Sequence, residues 1–238
     1  TNNPISFSQD SGIVKVQIFN KEPENILLEN IWKKNLPGFL PIVLGQDYFG
    51  NVVTTDISEH PHTLIAGTTG SGKSVANHNF IVNCILRKDV DLYLSDPKQI
   101  EFSIYKNHDA VKYIAIDYKA TIKMLEKLDG IMNLRLSLLK KYEKNSVKEI
   151  PYIKKIVVII DEISDLMLQD KSGNFKKALL GLAQKCRAAG IYLVISTQRP
   201  SAKIISGDIK ANFLARIACK VASKIDSKII LDESGAED

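Results

Sequence analysis

Lys73 and Ser74 close an eight-residue run, Gly67-Thr-Thr-Gly-Ser-Gly-Lys73-Ser74, that fits the pattern GxxxxGK[ST] at every fixed position. Glycines let a backbone wrap closely round a phosphate, so that successive N–H groups point at its oxygens. A helix that starts there adds partial positive charge. Lys73 then reaches β- and γ-phosphates, and the Ser74 hydroxyl coordinates Mg²⁺. The candidate ATP-binding residues are Gly67, Thr68, Thr69, Gly70, Ser71, Gly72, Lys73, Ser74 and Val75. The plainer reading is a glycine-rich turn with a chance Lys-Ser. Context opposes it: an apolar run, Thr63-Leu-Ile-Ala66, precedes the glycines, and helical spacing from Ser74 to Leu86 follows them.

Such a loop needs an acid to hold the metal. Ile156-Val-Val-Ile-Ile-Asp161-Glu162 supplies five β-branched residues and then two carboxylates. A strand of that kind buries itself and delivers the acids at its C-terminal end, where open α/β sheets bind ligands. Asp161 is the candidate for the Mg²⁺ shell, directly or through water. Glu162 is the candidate to orient and deprotonate the attacking water. Acids decorating a helix N-terminus are the bland alternative, and nearby Asp165 fits that description.

A third apolar run, Ile191-Tyr-Leu-Val-Ile, ends in Ser196-Thr197-Gln198-Arg199. In RecA-like sheets the strand after the acid-bearing one inserts between it and the phosphate-loop strand, which puts a polar tip near the γ-phosphate. Gln198 is the candidate sensor, with Thr197 or Ser196 able to take that place. Hydrolysis also calls for positive charge at the transition state, and P-loop motors usually take an arginine from a neighbouring subunit. Arg187 and Arg216 are both candidates. Spacing does not choose between them, and an arginine near a helix C-terminus is favourable there anyway.

These residues need a scaffold, and the chain alternates strand and helix signals to build one. Val14, Val16 and Ile18 alternate with polar neighbours as in a half-buried strand. Pro41–Leu44 and Asn51–Thr54 flank Gly45-Gln-Asp-Tyr-Phe-Gly50, which predicts a hairpin after a turn at Pro37-Gly38. Asp91–Leu94 is strand-like. Ile122, Leu125, Leu128, Met132, Leu136 and Leu139 form one apolar stripe on a helix from Ala120 to Tyr142. Asn174 to Ala189 reads as a helix stopped by Gly190, and Ala215 to Val221 as a last strand. The fold class is α/β, a mostly parallel sheet covered by helices on both faces.

With 238 residues, 45% hydrophobic and 25% charged, the chain is one medium to large domain with room for a small extra segment. A net charge of +5 permits nucleic-acid binding without showing it. Cys84, Cys186 and Cys219 form no CxxC pair, which suits a reduced cytoplasmic setting rather than a disulfide framework or zinc site. His60, His62, His78 and His108 form no HExxH set and read as surface or packing residues. No apolar run approaches the ~18–20 residues of a membrane helix, and no signal peptide is visible. The chain opens on Thr1 rather than Met, so it reads as part of a longer protein that has room for a membrane anchor elsewhere.

At this point the sequence resembles the FtsK/SpoIIIE family. The resemblance rests on His62–Ser74, Ser95-Asp-Pro-Lys98, Asp161-Glu162, Leu182-Ala-Gln-Lys-Cys-Arg-Ala-Ala-Gly-Ile191, Ser196-Thr-Gln-Arg-Pro-Ser201, Ile209-Lys-Ala-Asn212, Ser223-Lys-Ile-Asp-Ser227 and Gly235-Ala-Glu237. It covers about residues 40 to 238, and several of these blocks are not generic to phosphate-binding loops. It implies a RecA-like P-loop NTPase core at 36–238, a homo-hexameric ring with ATP and Mg²⁺ between subunits, and double-stranded DNA in the central channel. By the family pattern Arg187 matches the trans-acting arginine. Two loops match DNA-contacting ones, Arg199 to Lys210 with Lys203 between, and Ser223 to Lys228 with Lys224. Lysine-bearing segments of this kind meet phosphates without reading bases.

Residues 1–35 look like the tail of a preceding ring-forming subdomain. The family's membrane-spanning part and DNA-orienting winged-helix module are not written in this chain, and Glu143 to Lys155 looks shorter than in many relatives. The rival expectations are a related ATPase of conjugation or type VII secretion, moving single-stranded DNA or protein, and an assembly module that binds ATP without turning it over. Glu162 argues against the last, because binding-only relatives tend to lose that acid.

Overall fold

The computed structural model describes residues 5–10, 13–18, 25–33, 36–47 and 49–237. Strands β1 (Ile5–Asp10) and β2 (Ile13–Ile18) pair antiparallel, Ile5 opposite Ile18. The expected strand at Val14–Ile18 is β2; its half-burial concerns side chains outside the described set. A one-turn helix α1 (Leu28–Ile31) follows. The predicted hairpin is present as β3 (Pro41–Gln46) against β4 (Val52–Asp56), with a register break between Val43 and Gly45. At the expected turn, Gly38 has φ +114, and the Phe39 and Leu40 N–H groups donate to the Asp56 carboxylate.

The remaining elements run β5 (Thr63–Ala66), α2 (Lys73–Arg87), β6 (Val90–Ser95), β7 (Val111–Ala115), α3 (Tyr118–Lys141), β8 (Lys155–Ile160), α4 (Ile163–Gln169), α5 (Asn174–Lys185), β9 (Ile191–Thr197), α6 (Gly207–Asn212), β10 (Ala215–Ala218) and α7 (Lys224–Leu231). Six of the strands form one parallel sheet in the order β10-β5-β9-β8-β6-β7. The strand β9 does insert between β8 and the phosphate-loop strand β5.

The reason for this centre is visible in β8 and β9, which are buried at every position. Side chains alternate across a strand. Ile156, Val158 and Ile160 therefore pack in one apolar layer with α3 and α5, while Val157 and Ile159 pack in the other with Phe80 and Ile81 of α2. Burying one such side chain is worth about 1.5–3 kcal/mol, so a run of five with no polar face gains most where both faces are covered, as they are at the centre of this sheet.

Several elements differ from the sequence expectation. The helix expected to Ala189 ends at Lys185, and residues 186–190 form a turn in which Ile191 N–H donates to Cys186 O. Gly190 sits there at φ +68, and a Cβ on it would lie 2.4 Å from Val147 Cγ2, so only glycine brings the chain into β9. The segment expected as a Ser223–Lys228 loop is the first turn and more of helix α7. Ser223 caps it by accepting the Asp226 N–H at 3.2 Å and donating to the Asp226 carboxylate. The strand expected to Val221 stops at Ala218.

His62 braces the sheet beneath the site. The tautomer with Nε2–H donates to Ala183 O at 2.9 Å, and Nδ1 accepts the Leu193 N–H at 3.1 Å, linking β5, α5 and β9. Burial pushes this imidazole down to about 4, which keeps it neutral. It is the packing residue expected.

Candidate nucleotide site

The loop between β5 and α2 is built as a phosphate cradle. Gly67 N–H donates to Thr197 O and Thr68 N–H to Lys220 O, tying the loop to β9 and to the segment after β10. A Cβ at Gly67 would lie 2.6 Å from Cys219 Cβ, so the close approach requires glycine. Gly70 and Gly72 take φ +79 and +97. Gly72 is the N-cap of α2 and offers no side chain. The first helical bond runs from Ala76 N–H to Gly72 O. The N–H groups of Lys73, Ser74 and Val75 thus have no helical acceptor and remain for a ligand.

Lys73 is buried and its ammonium is bonded to the Asp161 carboxylate, with Ser196 Oγ 3.5 Å away. The same Asp161 oxygen accepts Asn77 Nδ2 at 3.1 Å and Ser196 Oγ at 3.0 Å. Asn77 also donates to Ser196 Oγ at 2.8 Å. Sequence reading missed Asn77. Its signal was position i+4 from Lys73, which puts it on the same face of α2.

Glu162 is 1% exposed and holds an unusual left-handed backbone, φ +55. Its carboxylate accepts Thr197 Oγ1 at 2.9 Å, Gln198 N–H at 2.9 Å and the Ser164 hydroxyl. Such strain at a non-glycine residue is characteristic of functional positions.

The three sensor candidates divide the site among them. Ser196 serves Asp161 and Lys73, Thr197 serves Glu162, and Gln198 Oε1 accepts the Thr69 hydroxyl of the phosphate loop at 3.0 Å. Ser74 Oγ donates to Glu101 Oε1 at 2.8 Å, a partner that no motif pointed to. The Ser95–Lys98 stretch lies at the tip of β6, where Ser95 O accepts the Asp161 N–H.

The arginines are elsewhere. Exposed Arg187 lies before β9, at the sheet end opposite Gln198, and the seven residues of β9 span roughly 20 Å. Among the described residues its Nη2 donates only to Glu59 O, at 3.4 Å. Arg216 on β10 is pinned by the Asp232 carboxylate and by Ile230 O. Of the residues expected on DNA, Arg199, Lys203, Lys224 and Lys228 are exposed, whereas Lys210 is paired with Asp232 at 2.6 Å. Ile204, Ile205 and Ile209 anchor the Arg199–Lys210 segment in the core, and its end is helix α6. Burial pushes the Cys84 and Cys186 thiols up to about 12, so neither is a ready nucleophile.

Beside Val75 a cavity of about 500 Å³ opens between α2, α1 and β3, lined by Leu27, Leu44, Val75, Ala76 and Asn79 among others. Among the described residues no helix is long and apolar enough to cross a membrane.

Relatives of known name and structures of known fold resemble this chain along most of its length. "DNA translocase FtsK" of Campylobacter jejuni subsp. jejuni serotype O:23/36 is 39% identical, aligned over 94% of this chain and 26% of its own length. The protein of that name from Helicobacter pylori strain J99 is 37% identical over 94% and 29%. This chain therefore spans about a quarter of these relatives. The ATPγS-bound monomer of the pCW3 conjugation coupling protein TcpA superposes with a TM-score of 0.80, at 28% identity, over 99% of this chain and 71% of that one. The cytoplasmic domain of the type VII secretion ATPase EccC of Thermomonospora curvata shares the fold, with a TM-score of 0.71 at 19% identity over 88% of this chain and 27% of that one. The FtsK/SpoIIIE family model matches residues 26–153 and 144–202. A parallel sheet with its phosphate loop and acid pair at one edge, matched along most of its length, places the chain in the FtsK/SpoIIIE family with the fold of a P-loop ATPase.

Proposed function

We propose that this chain binds ATP with Mg²⁺ at residues 67–75, hydrolyses it, and uses the turnover to move double-stranded DNA without sequence preference through a homo-hexameric ring. The observation that carries the reading is the convergence of Lys73, Asp161, Glu162 and Gln198 at the C-terminal edge of one parallel sheet. The donor set fits Mg²⁺, a hard cation that takes oxygen ligands. Ser74 offers a hydroxyl and Asp161 a carboxylate. Bound there, the cation would neutralise phosphate charge.

The residues of the chain do the rest. Lys73 exchanges Asp161 for phosphate oxygens when nucleotide enters, which frees the carboxylate. Glu162 takes a proton from the attacking water, once its carboxylate turns from Thr197 and the Gln198 N–H. Gln198 leaves Thr69 to report the γ-phosphate. The base and ribose take the cavity beside Val75. Arg187 completes the site of a neighbouring subunit, since it cannot reach its own. Arg199, Lys203, Lys210, Lys224 and Lys228 meet DNA phosphates, Lys210 after release from Asp232. A membrane anchor and a DNA-orienting module belong to other parts of the parent protein, with this domain on the cytoplasmic side.

The second reading is a conjugation-type motor for single-stranded DNA, favoured by the close superposition on the coupling protein. ATPase rates with no DNA, with duplex and with single strands separate the two. Strong stimulation by duplex is expected. Stimulation by single strands alone overturns the duplex reading, and no turnover under any condition overturns hydrolysis itself.

A further inference from the structure

Glu101 stands outside every motif that marks the site, yet it holds the hydroxyl of Ser74. Its place is set by Asp96, whose Oδ2 accepts the N–H groups of Glu101 at 3.0 Å and Phe102 at 2.9 Å. Phe102 is fully buried and anchors the loop from below. Glu101 Oε1 accepts the Ser74 hydroxyl at 2.8 Å, and Oε2 lies 3.3 Å from His78 Nε2. The Tyr105 hydroxyl is 2.9 Å from His78 Nδ1 and orients that ring. His78, expected as a mere surface or packing residue, is therefore part of a chain Tyr105–His78–Glu101–Ser74. Asp96 holds the Glu101 backbone and Oε2 faces His78, which leaves Oε1 to face Ser74.

A serine hydroxyl has one proton and two lone pairs. Free to rotate, it can present either to its surroundings. With the proton committed to Glu101, only lone pairs remain on offer, and a cation is what accepts them. The carboxylate also places negative charge one atom behind the ligand oxygen, which raises its basicity as partners behind metal ligands do elsewhere.

We propose that Glu101 is a positioning residue for Mg²⁺: it accepts the hydrogen bond of the Ser74 hydroxyl and so turns the Ser74 oxygen lone pairs toward the nucleotide's cation. This rests on the reading above that Ser74 is a metal ligand.

The test separates metal from nucleotide. A fluorescent ATP analogue is titrated into the wild type, Glu101→Ala and Glu101→Gln, first in EDTA and then across a range of Mg²⁺. Electron paramagnetic resonance counts Mn²⁺ held with ATPγS. The expected result for Glu101→Ala is a metal-free nucleotide affinity within about twofold of wild type, a Mg²⁺ midpoint raised ~10–100-fold, the usual scale for loss of such a partner, and Mn²⁺ binding weakened in parallel. Glu101→Gln keeps an acceptor oxygen and loses the charge, so its midpoint lies between the two. In a Ser74→Ala background the Glu101 substitution should add nothing, because the pair acts as one unit.

An unshifted Mg²⁺ midpoint in Glu101→Ala overturns the proposal. So does an equal loss of affinity with and without metal, which would make Glu101 a support for the loop alone. Should Glu101→Ala not fold, an unshifted midpoint in Glu101→Gln is equally decisive. A wild type that binds no nucleotide at all defeats the underlying reading instead.

Discussion

The ammonium of Lys73 lies on the carboxylate of Asp161, and each side chain is only 3% exposed. On the proposed reading, the phosphate-binding cation and the metal-binding acid thus neutralise one another until a ligand claims both. Lys73→Ala removes the one point charge inside the loop. Asp161 keeps Asn77 and Ser196 as donors, so its charge is not orphaned and the variant should fold, as circular dichroism can verify. Nucleotide binding or turnover should be lost. Wild-type turnover in the folded variant would remove the loop's assigned role.

Glu162→Gln should bind ATP and hydrolyse it at least ~10²-fold slower, the scale for loss of a positioned base. Thr197 Oγ1 and the Gln198 N–H, which hold the carboxylate, can hold an amide oxygen equally well. The side chain therefore stays in place while its basicity goes. Single-turnover hydrolysis is the measurement, and near-normal rates would mean that another group orients the water.

His62 gives the fold a pH dependence with a definite sign. Burial lowers its pKa to about 4 from the ordinary 6.5. Between those values the unfolded chain binds the proton and the folded chain does not, so stability falls as pH falls. The contribution is fully present above about pH 6.5 and is lost toward pH 4. At 1.36 kcal/mol per unit the loss is up to ~3 kcal/mol. Urea unfolding at pH 7.5 and pH 5 should show it for the wild type. The difference should shrink in His62→Gln, which has no proton to take up; an equal difference in both would place the dependence elsewhere.

Much of the site could be read from the chain because its signals are contiguous. The glycines of 67–72, the apolar stretch before Asp161 and the polar tip at Ser196–Gln198 each carry their own context. Spatial partners were hidden for the opposite reason. Glu101 is 27 positions from Ser74, and only the turn after β6, pinned by Asp96, brings it there. The start of helix α7 reads as a loop in the sequence because Ser223-Lys-Ile-Asp-Ser is short and polar. Its Ser-x-x-Asp spacing was nonetheless a start signal for a helix. Helix α5 reads longer in the sequence than it is because Ala188 and Ala189 favour helix. The need to enter β9 at Ile191 overrides them, through Gly190.

On the proposed reading, the position of Arg187 sets how many chains make one site. It lies at the sheet end away from its own phosphate loop and, among the described residues, is held by one long bond to Glu59 O, which suits it to serve a neighbour. Arg216 is instead committed to Asp232. Arg187→Ala should leave ATP binding intact and lower turnover by roughly 10³-fold or more, the scale of arginine fingers. Mixing tests the geometry. An Arg187→Ala subunit keeps its own Lys73 and Glu162, and a Glu162→Gln subunit keeps its own Arg187. Neither hydrolyses alone. In mixed rings some boundaries pair the intact pocket of the first with the intact arginine of the second, and activity should return there. Arg216→Ala runs in parallel: recovery with it but not with Arg187→Ala would transfer the role to Arg216. Normal hydrolysis by purified Arg187→Ala in the presence of DNA would leave Arg187 an ordinary surface residue of the turn before β9.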